Sequence, residues 1–155
     1  MNHMIPGLNG PKMSSSIPDS KIGLLEDSAS VHGRLQEAHC VDGVIDGNGV
    51  LPILKEIIFP LASLRQELLP QAPPSDNTHA RALFSIPLTG TADGPAQSFS
   101  SYADLEHAFV TGDVSGNCLK SATAEFIDAF LAPVRLARTM DQEWQHQEAL
   151  AYAEE

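Results

Sequence analysis

Between Val50 and Leu69, apolar residues recur at three- and four-residue steps. Leu51, Leu54, Ile58, Leu61, Leu64 and Leu68 form one stripe, which predicts a core-facing helix. Pro60 lies inside that stripe. A ring without an N–H predicts a kink there, or a split into two helices. Upstream, Val31, Leu35 and Ala38 share a helical face behind Ser28 or Ser30, either of which offers a capping hydroxyl, although Gly33 weakens the turn between them. The glycine- and aspartate-rich run from Cys40 to Gly49 reads as the turn joining these two helices. Pro70 to Asn77 reads as a linker.

The second half changes period. Ala82 to Ile86 and Ala96 to Phe99 predict two short strands around the turn-rich stretch Thr89 to Pro95. Such a hairpin needs helical neighbours for stability. Ser100 or Ser101 then precedes a helix from Tyr102 to Val110, with Leu105 and Phe109 four apart. Ser115 and Asn117 offer caps for a helix turning Ala122, Phe126, Ala129 and Phe130 inward. Pro133 is expected to start a further helix carrying Val134, Leu136 and Met140. That helix ends in the acidic tail to Glu155, with Trp144 and Tyr152 packed against the rest. The expected fold class is mainly α, a helical bundle with a small β hairpin.

Residues 1 to about 25 lack sustained periodicity and are rich in Gly, Pro and Ser, so they read as an extended segment and loop. The 155 residues suffice for one domain with a small appendage, and 43% hydrophobic content can supply a core. No apolar run approaches membrane-spanning length, and the start lacks a basic segment followed by an apolar one, so neither a membrane span nor a secretory signal is expected.

Charge narrows the partners. Nine Lys and Arg stand against 20 Asp and Glu, a net of −11. A phosphate track needs clustered cations, so this balance argues against strong nucleic-acid binding by the chain alone. Cys40 and Cys118 are too few for a disulfide framework and too far apart for a zinc ribbon; reduced thiols and a cytoplasmic location are expected. Six histidines include His32 and His39, but their spacing with Cys40 fits no zinc class, and no metal site is expected. Asp46-Gly47-Asn48-Gly49 begins like a calcium loop, yet Val50 and Ile57 stand where oxygen ligands are needed.

The remaining chemistry lies in Gly10-Pro11-Lys12-Met13-Ser14-Ser15-Ser16. It is a lysine among small residues followed by three hydroxyls. Such a stretch suits a polyanion: the ammonium is a point charge on a flexible stem, and hydroxyls and backbone N–H groups donate hydrogen bonds. It is not a Walker loop, because Pro11 separates Gly10 from Lys12 and the glycine spacing differs.

Met4-Ile5-Pro6-Gly7-Leu8, Lys12 to Ser16, Ser20-Lys21-Ile22 and Leu24-Leu25 resemble the end of the catalytic domain of tyrosyl-tRNA synthetases of the eukaryotic and archaeal type. Gly47 to Leu51, Phe59-Pro60-Leu61, Tyr102 to Glu106, Leu119-Lys120 and Leu131 to Arg135 follow in that family's order. The resemblance covers nearly the whole chain and is weakest between Arg65 and Pro95.

It implies residues 1–25 as a remnant of the catalytic α/β domain and residues 26–155 as a helical anticodon-binding-like domain. Lys12, Met13, Ser14, Ser15 and Ser16 are then the ATP-phosphate loop, with Lys12 steadying the leaving pyrophosphate during tyrosine activation. ATP with Mg2+ is the cofactor of the intact enzyme. The isolated chain is expected to bind none, because the tyrosine pocket and the family's upstream histidine signature are missing and Met1 aligns with an internal residue. The partners implied are tRNA(Tyr), the missing catalytic domain and a homodimer partner.

The anticodon positions depart from the family's pattern. Cys118 stands where an aspartate usually precedes Leu-Lys, and Ala92 or Asp93 where an aromatic usually precedes Gly94. A thiol poorly replaces a carboxylate accepting from guanine, and neither Ala92 nor Asp93 offers a stacking face. Lys120 is retained and can reach a phosphate or base. The expected function is therefore the C-terminal part of a tyrosine–tRNA ligase, inactive alone. The alternative is a degenerate, non-catalytic interaction or regulatory module.

Overall fold

In a computed structural model the described residues are 5–9, 21–68, 82–87, 96–141 and 146. Among them the chain is helix-rich, with one antiparallel pair of strands. Helix α1 (Ser28–Glu37) turns Val31 and Leu35 into the core, and Ala38 just beyond it is also buried. Its cap is Asp27, not Ser28 or Ser30: Asp27 Oδ1 accepts from the Ser30 N–H at 2.8 Å, and Oδ2 accepts from the Ser30 hydroxyl at 3.0 Å. Aspartate caps as well as serine, and here it lies one residue earlier.

The long central stripe folds as three contiguous segments. A short α2 (Leu51–Ile53) widens into a π-helical turn over Leu54–Ile58 and runs on as α3 (Phe59–Leu68). Pro60 therefore does not split the helix. The π turn closes with the Phe59 N–H donating to the Leu54 carbonyl, just ahead of the ring that has no N–H to give. One extra residue in a turn rotates everything beyond it by about 100°. Leu51, Leu54 and Ile58 are buried as the stripe predicts, but the buried face then passes to Phe59 and Ala62. Leu64 and Leu68 are 51% and 75% exposed.

Strands β1 (Phe84–Pro87) and β2 (Ala96–Phe99) pair antiparallel, Phe84 opposite Phe99 and Ser85 opposite Ser98. Phe84, Ile86 and Phe99 face the core. The expected turn between the strands lies outside the described residues. Helix α4 (Tyr102–Thr111) is capped by Ser101, whose Oγ accepts from the Asp104 N–H at 3.2 Å and donates to Asp104 Oδ2 at 2.7 Å. Gly112, at φ +87°, ends it in the left-handed conformation.

Helix α5 (Gly116–Met140) is capped by Ser115 and runs through Pro133 without a break. Pro133 thus sits inside the helix and does not begin one. Both Pro133 and Ala129 are exposed, so water can meet the Ala129 carbonyl that the missing N–H leaves without its usual donor. Ala122 is buried and Phe126 half-buried, as expected. The inward face, however, includes Leu119, Thr123, Ala124 and Leu131, while Ala129 and Phe130 turn outward. Trp144 and Tyr152 lie outside the described residues.

Helix α5 packs on α1 and on β1, and β2 packs on α4. Leu8 belongs to the same core. The His39 N–H donates to the Leu8 carbonyl at 2.8 Å, and the Gly49 N–H to the His39 carbonyl at 2.7 Å. A Cβ on Gly49 would stand 2.0 Å from the Leu8 carbonyl oxygen, so only glycine admits this strand-like crossing.

Candidate functional site

Asn48 organises the loop between α1 and α2. Its Oδ1 accepts from the Val50 and Leu51 N–H groups at 2.9 and 3.0 Å, satisfying two donors at the start of α2. Its Nδ2 donates to the Val44 carbonyl and to Cys40 Sγ, each at 3.3 Å. The side chain is buried and fully used. The glycine pattern of the loop announced a turn, but only the asparagine's position ahead of Val50 signalled a cap.

The same loop meets α5 end-on. Asp42 Oδ1 accepts from the Gly116 N–H, a carboxylate at the positive end of a helix. A Cβ on Gly116 would lie 2.9 Å from both that oxygen and the Cys40 carbonyl. Burial pushes the Cys40 thiol above its ordinary range, which the Asn48 amide and the Lys120 charge oppose. Cys40 is accordingly a poor nucleophile. Neither cysteine is in a disulfide.

Cys118 and Lys120 occupy the first turns of α5. The Cys118 N–H donates to the Ser115 cap at 3.3 Å, and its side chain is half-buried against the core. Lys120 Nζ donates to the Gln36 carbonyl at 2.9 Å, in the last turn of α1. Beside it, Gln36 Nε2 donates to the Ser121 hydroxyl at 3.2 Å. A cation at a helix C-terminus meets an orphan carbonyl and the negative end of the dipole. Asp93, Lys12, Met13, Ser14, Ser15 and Ser16 lie outside the described residues.

The two flanks of the lysine–serine stretch are described, and both are fixed. Leu8 is held as above. On the other side Arg34 Nη1 donates to the Lys21 carbonyl at 3.1 Å, while Arg34 Nε lies 3.1 Å from Glu26 Oε2. No sequence motif announced Arg34 and Glu26, because nothing in the local pattern specifies this pairing. A second ion pair, Arg135 with Asp128, lies on α5, and the Arg135 guanidinium holds the Asp128 carboxyl below the usual carboxylate range.

Among the described residues no group of three or more His, Cys, Asp and Glu side chains could hold a metal ion. No described helix is long and apolar enough to cross a membrane.

The family described as tRNA synthetases class I (W and Y) matches residues 1–132. The chain belongs to that family. The cytoplasmic tyrosine–tRNA ligase of Gallus gallus is 34% identical over 139 residues, covering 87% of this chain and 22% of that protein. The Saccharomyces cerevisiae enzyme is 31% identical over 153 residues, covering 98% of this chain and 36% of its own length. Among solved structures, Leishmania major tyrosyl-tRNA synthetase in complex with fisetin superposes with a TM-score of 0.68 at 26% identity, covering 99% of this chain and 25% of that one. Tyrosyl-tRNA synthetase from Pyrococcus horikoshii, solved with L-tyrosine, shares the fold at a TM-score of 0.69 and 21% identity, covering 97% of this chain and 39% of that one. The synthetase-family chain described here thus spans about a fifth of the one curated relative and somewhat over a third of the other.

Proposed function

We propose that this chain is the C-terminal part of a tyrosine–tRNA ligase, joining the ATP-phosphate loop to an anticodon-binding-like helical domain. The family match over residues 1–132, with relatives several times longer than the matched stretch, carries this reading. Residues 1–25 are the remnant of the catalytic domain and 26–155 the helical domain.

In the intact enzyme, Lys12 stabilises the negative charge that grows on the pyrophosphate as the tyrosine carboxylate attacks the α-phosphate of ATP. Ser14, Ser15 and Ser16 donate hydrogen bonds to the phosphates. ATP carries the activating group and Mg2+ offsets its charge. The fixed flanks, Leu8 on one side and Lys21 on the other, support this role, since both ends of the stretch are tied to the helical domain. The isolated chain carries only this edge of the site and does not activate tyrosine.

Cys118, Lys120 and Asp93 stand at the anticodon-reading positions. The Lys120 ammonium has three donors, so a contact to tRNA(Tyr) shares its charge with the Gln36 carbonyl. The acidic balance and Cys118 favour the second reading, a non-catalytic interaction or regulatory module that has kept the fold and lost the readout.

One assay tests both readings and a second separates them. Tyrosine-dependent ATP–pyrophosphate exchange by the purified chain is expected at background, and measurable turnover contradicts the assignment. A salt titration of binding to tRNA(Tyr) and a non-cognate tRNA tests the rest. Cognate-selective binding supports the ligase part, and no binding at low salt favours the module.

A further inference from the structure

The two flanks of the lysine–serine stretch are both held at the end of α1, but by different means. At the entry backbone meets backbone: the Leu8 carbonyl accepts from the His39 N–H at 2.8 Å, and Leu8 is buried beside the crossing at Gly49. At the exit a side chain does the holding. Arg34, in the last turn of α1, donates from Nη1 to the Lys21 carbonyl at 3.1 Å, and its Nε lies 3.1 Å from Glu26 Oε2. Between those contacts the chain turns, with the Glu26 N–H donating to the Gly23 carbonyl at 3.2 Å. One planar guanidinium thus closes the turn from both sides, which an ammonium on a flexible stem does not reproduce. Packing alone holds this turn poorly. Ile22 touches the core, but Leu24 and Leu25 are 69% and 37% exposed.

We propose that Arg34 is a positioning residue for tyrosine activation: its fork fixes the exit of the stretch at Lys21 and thereby sets how Lys12 meets the leaving pyrophosphate. The inference rests on the assignment of Lys12 to Ser16 to ATP phosphates. Arg34 touches no substrate and acts through Lys12. A lysine that stabilises developing charge contributes only when it arrives in register with that charge, and a displacement of about 1 Å costs up to about 10²-fold in rate. Tying both flanks to one rigid helix also leaves fewer conformations to be lost when the stretch closes on its anion. The competing use of the pair is a plain structural brace, which predicts a loss of stability and no loss specific to Lys12.

The test replaces the matched 139-residue stretch of the chicken ligase with this chain and measures kcat and KM in tyrosine-dependent ATP–pyrophosphate exchange. Arg34→Met is expected to lower kcat by about 10–10²-fold with the KM for tyrosine unchanged. Arg34→Lys, which keeps one of the two contacts, recovers part of that loss. In a Lys12→Ala background Arg34→Met costs nothing further, because the two residues act as one unit. Glu26→Gln frees the guanidinium without removing it and gives a smaller fall, so it carries the test where Arg34→Met fails to fold. Lys12-dependent exchange that is indifferent to Arg34→Met and Glu26→Gln overturns the inference and leaves the phosphate assignment standing. A fall of equal size with and without Lys12 also overturns it and marks Arg34 as a brace. A Lys12→Ala chimera no less active than its parent rejects the phosphate assignment itself, and the inference with it.

Discussion

The Lys120 ammonium donates to the carbonyl oxygen of Gln36 at 2.9 Å, joining the start of α5 to the end of α1. The lysine proposed above to meet tRNA is thus a helix-terminus contact between two packed helices. Any RNA contact draws on the same charge. Lys120→Ala is expected to destabilise the chain by about 1 kcal/mol. Chemical denaturation measures that loss. If Lys120 also touches RNA, Lys120→Arg recovers tRNA affinity as well as stability, whereas a purely structural lysine moves stability alone.

Two glycine-to-alanine substitutions should have opposite signs. In Gly49→Ala the new methyl would stand 2.0 Å from the Leu8 carbonyl oxygen, and backbone on both sides has to move. A loss of about 3 kcal/mol or more is expected, with the segment around Leu8 released. Gly33 in α1 has nothing within 4 Å of the position a Cβ would take. Gly33→Ala is therefore expected to stabilise by about 0.5–1 kcal/mol. Paired thermal melts decide the point, and a stabilised Gly49→Ala contradicts the packing described.

Acid should weaken the chain through two aspartates. The Ser30 N–H and hydroxyl hold Asp27 below its ordinary value of 3.8, and the Arg135 guanidinium does the same for Asp128. A depressed folded-state pKa means that the unfolded chain binds protons first as pH falls. The contribution of each group is complete above the unfolded value and is lost as pH drops through the folded one. Urea midpoints at about pH 7 and about pH 3 should therefore converge in an Asp27→Ala, Asp128→Asn double variant relative to the parent. An equal acid shift in both proteins contradicts the assignment.

The α-helical periods, the two strands and the Ser101 and Ser115 caps were legible because each rests on local chemistry. The misread features depend on one turn altering the next. The stripe through Leu64 and Leu68 is a sound α pattern, but the π turn ahead of Pro60 rotates it out of the core. Pro133 carries an N-terminal helix signal, yet an exposed face tolerates it in mid-helix. The proposed site rests on the resemblance carried by Lys12 to Ser16, Cys118 and Lys120. Its supports were not, since Arg34 meets Lys21 and Asp42 meets Gly116 across distances in sequence that no local pattern encodes.

The most direct measurement is tyrosine-dependent ATP–pyrophosphate exchange in a chimera of the chicken ligase that carries this chain in place of its matched stretch, with and without Lys12→Ala. A phosphate loop that acts on the leaving group predicts exchange in the parent and a fall of about 10²–10³-fold in the variant. Equal exchange in the two proteins contradicts the account.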